Sequence, residues 1–265
     1  MNRIEKSFAD ARAEDRGHLI VYITAGHPCL KGTEMLVPAL AEAGVDMIEL
    51  GIPFSDPLAD GPIIQSAGQQ ALARGCTVAG VMESVTRIRE QTDIPIAFMT
   101  CWNPILQNDP ATFAKTAKAA GVDGMLVTDL PPEEAGDWLS IVDANDMQSI
   151  FLVAPASTPE RIEKAAELST GFVYCVARAG VTGVRDEVSP ELKGLVSRIR
   201  EKTDKPISVG FGVSKADHVR EVCKLADGAI VGSAMVKLID DGDSPESIVE
   251  QAAAFAADLA TSKER

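Results

Sequence analysis

Residues 19–51 read LIVYITAGHPCLKGTEMLVPALAEAGVDMIELG, and the order of patterns within them decides the fold. The segment opens on a β-branched run, LIVYIT. It passes through an amphipathic helical stretch, MLVPALAEAG, that ends on glycine, and returns to a second apolar run, MIEL. A strand, a helix and a strand in that order are the parts of a parallel crossover unit. Runs of the same kind recur along the chain: IAFM from Ile96, GMLV from Gly124, SIFLV from Ser149, FVYCV from Phe172, ISVG from Ile207 and AIVG from Ala229. With LIVYIT and MIEL they make eight strands, the number a TIM barrel requires. Stretches such as FAKTAKAAG and HVREVCKLA supply the helices between them. The runs are apolar along most of their length rather than alternating, as strands covered on both faces are.

The second crossover is long, running over residues 51–95, and its pattern predicts an extra helix over 64–74 before the expected one at 78–90. Further helices are expected at 4–14 and, after an Asp-Gly-Asp turn, at 247–261. The reading is an α/β fold: a (β/α)8 TIM barrel with an extra N-terminal helix and an extra helix after strand 2, occupying residues 1–265 as a single catalytic domain. An open doubly wound sheet is the alternative. Against it, no G-x-G-x-x-G follows the first strand, and no Pro/Gly/Ser-rich linker divides the chain.

Hydrophobic residues make up 46% of the chain and charged ones 24%, enough apolar surface for a sizeable core. The net charge of −14 repels a phosphate backbone, which sets nucleic acids aside as partners. It also repels a phosphorylated small molecule at long range, so a phosphate site has to be built locally from backbone N–H groups or a helix terminus. The five cysteines are scattered and odd in number, which suits a reducing cytosol. His18, His27 and His218 lack metal-ligand spacing and are read as exposed or satisfied side chains, with no metal site expected. The N-terminus has no apolar signal core and no run of 18 apolar residues occurs, so a cytoplasmic protein without membrane association is expected.

The most informative residue is Glu49, within MIELG at the end of the second strand. Strand alternation puts it on one face with Met47, opposite Ile48 and Leu50, and both faces of a barrel strand are largely buried. A buried carboxylate costs several kcal/mol unless paired or neutralised, and the C-terminal end of a barrel strand is where catalysis sits. A structural ion pair is the plainer alternative. The following loop, GIPFSDPLADGP, is stiff with proline and glycine. Asp56 and Asp60 in it serve either as Asx-turn residues or, with Glu49, as the second half of an acid/base pair.

After the sixth strand, RAGVTG (178–183) reads either as a loop that closes over substrate or as a plain connection. GFG (210–212) and GS (232–233) follow the seventh and eighth strands, whose loops form the phosphate site of many barrels. Ser233 is also placed to serve as the N-cap of AMVKLI.

The stretch ELGIPFSDPLADGP (49–62) resembles the signature of the tryptophan synthase α subunit family. TAGHP at Thr24, WNPI at Trp102, TDLPPEE at Thr128, RAGVTG at Arg178, GFGV at Gly210 and GSAMVK at Gly232 follow in the family's order. The resemblance implies a TIM-barrel lyase that cleaves indole-3-glycerol phosphate to indole and glyceraldehyde 3-phosphate. By matching position, Glu49 is the proton shuttle and Asp60 the acceptor of the indole N–H bond. Tyr22, Tyr174 and Phe211 fall at or near the substrate pocket, and Gly212, Gly232, Ser233 and Gly183 hold the phosphate. Arg178 and Thr182 belong to the closing loop, Thr182 contacting the loop of Asp56 and Asp60.

The chain departs from the family's common pattern at Cys101, where tyrosine is frequent, at His27, where aspartate is, and at Tyr22, where phenylalanine is. Cys101 is read as packing or pocket lining. The resemblance further implies a β-subunit partner in an α2β2 complex, with pyridoxal phosphate bound by that partner and no cofactor in this chain. The alternatives weighed are a stand-alone indole-releasing lyase, a non-catalytic barrel that binds a phosphorylated ligand to regulate a partner, and an isomerase or synthase on a related phosphorylated intermediate.

Overall fold

The computed structural model describes residues 1–176, 190–210 and 212–264. All eight apolar runs form strands: β1 (His18–Thr24), β2 (Met47–Gly51), β3 (Ile96–Thr100), β4 (Gly124–Val127), β5 (Gln148–Val153), β6 (Val173–Val176), β7 (Ile207–Gly210) and β8 (Gly228–Val231). Each pairs in parallel with its sequence neighbours, and β8 closes on β1 through the register Leu19 to Ala229. The expected closed barrel is therefore the fold, and the open sheet is not.

Helices α1 (Arg3–Ala13), α2 (Leu30–Glu42), α3 (Pro62–Ala73) and α4 (Val78–Arg89) surround the first three strands, with α3 the anticipated extra helix. Beyond β3 come α5 (Trp102–Gln107), α6 (Pro110–Ala120), α7 (Gly136–Ala144) and α8 (Pro159–Leu168). The circuit ends with α9 (Pro190–Arg200), α10 (Ala216–Cys223), α11 (Ser233–Asp240) and α12 (Pro245–Ala260). Short α5, which begins within WNPI, had no periodic pattern long enough to announce it.

Strand alternation sorts the core into two layers. Ile20, Met47, Ala97, Leu126, Ile150 and Phe172 point into the barrel and pack together with Ile4 and Phe8 of α1. Leu19, Val21, Ile48, Leu50 and Phe98 point outward to the helices. Helix α1 starts on a capping box: Asn2 accepts from the Ile4 N–H at 2.9 Å, and Glu5 accepts from the Asn2 N–H at 2.9 Å. So anchored, α1 plugs the N-terminal end of the barrel, where Phe8 stacks on His18 with ring centroids 3.9 Å apart.

The same rim carries three aspartates, each one residue before or at the entry to an even-numbered strand. Asp46, Asp123 and Asp227 accept the N–H of Leu19, Ile96 and Ile207 at 2.8, 2.9 and 2.9 Å, stitching β1 to β2, β3 to β4 and β7 to β8. Each is also paired with an arginine: Arg16 at 2.8 Å, Arg89 at 2.8 Å, and Arg200. This end of the barrel is built for stability, which leaves the opposite end free for chemistry.

Candidate active site

Glu49 emerges from β2 on the same face as Met47, pointing into the barrel, while Ile48 and Leu50 face the helices. In the strand register it lies between Tyr22 of β1 and Ala97 of β3. It is 0% exposed, and neither carboxyl oxygen has a hydrogen-bond partner among the described residues. The plainer alternative of a structural ion pair is therefore not realised among them. Burial disfavours the charged form and pushes the Glu49 carboxyl up to about 8, so at neutral pH the group holds its proton.

Two tyrosines are coupled to it, Tyr22 as its register partner on β1 and Tyr174 through its charge. The Tyr22 hydroxyl lies 3.3 Å from Thr24 Oγ1. The Tyr174 ring stacks on Phe172 with centroids 6.3 Å apart. Burial raises both phenols above tyrosine's usual value, and the negative charges of Glu49 and Asp60 act on both in the same direction. That mutual influence marks the two tyrosines, Glu49 and Asp60 as one electrostatic cluster at the C-terminal end of the barrel.

Asp60 belongs to the loop between β2 and α3. The Asp60 N–H donates to the Pro57 carbonyl at 3.3 Å, and the Gln65 amide of α3 donates to the Asp60 carbonyl at 2.9 Å. Pro62 at the first turn of α3 ends the loop, its fixed φ being compatible with a helix start. Burial pushes the half-buried Asp60 carboxyl up to about 6. The two carboxyl groups are thus set apart in ionisation, Glu49 above Asp60. Asp56 is exposed and accepts from Ser55 Oγ at 2.5 Å, outside that cluster.

Beside the cluster is a cavity of about 520 Å³, a size suited to a small-molecule ligand. Tyr22, Tyr174, Met99, Ile64 and Ile230 form apolar walls, and Gly212, Ser214, Gly232 and Ser233 line a polar part. Glu49 and Asp60 are not among its lining residues; the two tyrosines whose hydroxyls feel both carboxyl groups are. The structure thus brings together Tyr22, Tyr174, Gly212, Gly232 and Ser233 around one cavity. Arg178, Thr182, Gly183 and Phe211 lie outside the described residues.

The role of Ser233 as N-cap is corrected. Gly232 takes the cap position with φ −114° and ψ −87°, Ser233 is the first residue of α11, and no side chain caps the helix. The N–H groups of this first turn therefore have no side-chain partner there, which fits them for an anion. Gly212 has φ +45°, the left-handed region that favours glycine.

The histidines also need correction. His18 and His27 are buried, not exposed. His18 Nε2 meets Ser7 Oγ at 2.8 Å, but its Nδ1 has no partner among the described residues. Neither ring nitrogen of His27 has a hydrogen bond among them, the nearest acid being Asp240 at 3.6 Å from Nε2. No sequence pattern announces their burial. His218 is satisfied as expected, with Nδ1 accepting from the Ser214 N–H at 3.4 Å, and His18 is satisfied at Nε2 alone among the described residues. Cys101 is buried and its sulfur lies 3.6 Å from Thr128 Oγ1.

Met99, Ile64, Ser214, Lys237 and Phe255 line the cavity without having been singled out. Two signals were available. Met99 is two residues beyond Ala97 and so shares its inward face, and Lys237 is one helical turn beyond Ser233. Among the described residues no group of three His, Cys, Asp or Glu side chains is arranged to hold a metal ion. No helix among them is long and apolar enough to cross a membrane.

Comparison with known proteins adds three kinds of likeness. Residues 8–264 match the family model described as tryptophan synthase alpha chain. The tryptophan synthase alpha chain of Geobacter sulfurreducens is 46% identical over 91% of this chain and 91% of its own, and that of Opitutus terrae is 44% identical over 100% of both. Among solved structures, a Mycobacterium tuberculosis tryptophan synthase superposes with a TM-score of 0.91 at 37% identity, covering 100% of this chain and 99% of that one. The tryptophan synthase subunit alpha of Legionella pneumophila superposes at 0.90 with 33% identity, covering 99% and 98%.

Proposed function

The chain belongs to the tryptophan synthase alpha chain family, and from that premise we infer a carbon–carbon lyase that cleaves indole-3-glycerol phosphate to indole and glyceraldehyde 3-phosphate in tryptophan biosynthesis. Membership of this family implies a β-subunit partner and a small-molecule substrate. The alpha reaction uses no cofactor; pyridoxal phosphate belongs to the β chain. We further propose an α2β2 assembly, a cytoplasmic location, and residues 1–265 acting as one catalytic domain.

In the proposed mechanism Glu49 begins protonated and delivers its proton to the indole ring carbon that bears the glycerol side chain. The ring nitrogen becomes cationic, and Asp60, accepting the indole N–H bond as an anion, stabilises that charge. The carbon–carbon bond then breaks and its electron pair returns to the ring. The hydroxyl carbon becomes an aldehyde, and the hydroxyl proton passes to the Glu49 carboxylate, which ends as it began. Tyr22 and Tyr174 flank the flat ring. The phosphate is assigned to the first turn of α11 with Gly212, Gly232 and Ser233, joined by Gly183; Phe211, like Gly183 outside the described residues, is assigned to the aromatic wall of the pocket. Arg178, Thr182 and Asp56 are assigned to loop closure.

The observation that carries this reading is the fully buried Glu49 carboxyl, without a hydrogen-bond partner among the described residues and raised to about 8, because a group that both gives and takes a proton near neutrality needs that poise. It also weighs against a non-catalytic barrel, which has no use for a buried acid that finds no partner among the described residues. The test is an indole-release assay on indole-3-glycerol phosphate with and without the cognate β chain, alongside a pull-down of the two chains. Release that rises on adding β chain supports the reading. High turnover alone, with no complex formed, would leave a stand-alone lyase, and no release in either arm would reject the activity.

A further inference from the structure

The chain carries a net charge of −14, yet the described residues that line the cavity include no aspartate or glutamate and a single cation, Lys237. Lys237 stands four residues beyond Ser233 on α11, on the same helix face one turn on. Side chains on a helix lean toward its N-terminus, which puts Lys237 within reach of the uncapped first turn, and the two line the same cavity. Among the described residues no ion pair or hydrogen bond engages that ammonium, and the side chain is exposed to solvent.

The magnitudes call for such a group. A phosphate monoester carries a charge of roughly −1.5 to −2 at neutral pH, whereas a helix N-terminus offers about +0.5. We propose that Lys237 is the charge-pairing and steering group for the substrate phosphate, supplying at the cavity mouth the full positive charge that the backbone N–H groups do not. It is a positioning residue: it draws the dianion in and holds it while the proton chemistry takes place elsewhere. The inference rests on the function proposed above and goes beyond it by assigning a side chain to phosphate capture.

Steady-state cleavage of indole-3-glycerol phosphate, assayed with the β chain present, tests it in the wild type, Lys237→Gln and Lys237→Arg at low and high salt. In Lys237→Gln the KM rises about fivefold to tenfold at low salt while kcat changes less than about twofold, and the rise shrinks at high salt as screening removes the attraction. Competition by inorganic phosphate weakens in parallel, whereas competition by indole, which has no phosphate, does not. Lys237→Arg keeps the KM within about twofold of wild type because the charge is retained. A Lys237→Gln enzyme with the wild-type KM at low salt overturns the proposal. So does one whose kcat alone falls with the salt dependence unchanged, since that is the mark of a structural role. A wild type that releases no indole rejects the functional reading and this inference together, whereas an active wild type with an indifferent glutamine variant rejects this inference alone.

Discussion

The phenol of Tyr174 fills the space that a side chain on Gly210 would need: an ideal Cβ at that glycine stands 2.6 Å from the Tyr174 oxygen. The two residues belong to neighbouring strands, β6 and β7, so the tyrosine leans onto the backbone of the adjacent strand. Gly51 does the same for Tyr22, its ideal Cβ standing 2.1 Å from that hydroxyl. Both aromatic walls of the cavity depend on a missing methyl group.

Gly210→Ala therefore forces the Tyr174 ring from its place. We expect a stability cost of about 1–3 kcal/mol, as for overpacking in a filled core. A KM increase of about fivefold or more should accompany it, since a shifted wall misplaces the ring it faces. Urea unfolding and steady-state kinetics check both, and an alanine variant that matches wild type in each would show that the tyrosine yields freely.

Glu49→Gln keeps the shape and removes the proton. Loss of kcat by at least about 100-fold is expected, the lower range for general acid–base catalysis, with an unchanged circular dichroism spectrum.

The same substitution has a pH-dependent effect on stability. Glu49 in the folded chain titrates near 8, against 4.5 when unfolded. Between those values the folded state holds a proton that the unfolded state has lost, so the stability contributed by this group is complete below 4.5 and is lost as pH rises to about 8. Glu49→Gln has no such loss. Chemical denaturation should find the two proteins close at pH 5 and the glutamine variant more stable, by a few kcal/mol, near pH 8.5.

The rate should follow the two carboxyl groups. Protonated Glu49 and ionised Asp60 coexist between about 6 and about 8, which predicts a bell-shaped kcat/KM with limbs near those values. Asp60→Asn removes the acid limb and lowers kcat/KM by about 100-fold, as loss of one charge-stabilising partner does. An acid limb that persists in the asparagine variant would assign it to another group.

At the opposite rim, burial lowers His18 to about 4 against 6.5 for a free histidine. The unfolded chain takes up a proton below 6.5 that the folded chain refuses, so stability is full above 6.5 and is lost as pH falls to about 4. His18→Gln should flatten the acid side of the stability curve, read by thermal melts at pH 7, 5.5 and 4.5. The charged groups that act on this ring are Asp46, Lys263 and Arg16.

Much of this was legible without coordinates. The strand runs specified the barrel because alternating buried strands and amphipathic helices leave few ways to cover both sheet faces. Glu49 stood out because an acid inside an apolar strand is costly wherever that strand lies. Other features were not legible. His27 and Asp240 are over 200 residues apart in the chain, and nothing local to either announces the other. The aspartates at 46, 123 and 227 share a position before their strands, a pattern whose purpose shows only when the neighbouring strand's N–H is seen to meet each one.

Local composition, then, determined the element order, the inward face of each strand, and the acid at the end of β2, because periodicity and desolvation act on each residue through its near neighbours. Tertiary structure alone decided that Gly232 and not Ser233 caps α11, and that Tyr22 and Tyr174 flank the cavity over Gly51 and Gly210. It also decided that Glu49 is left with no bond to a described residue. Those outcomes depend on which strands and loops meet when the barrel closes, and closure is a property of the whole chain.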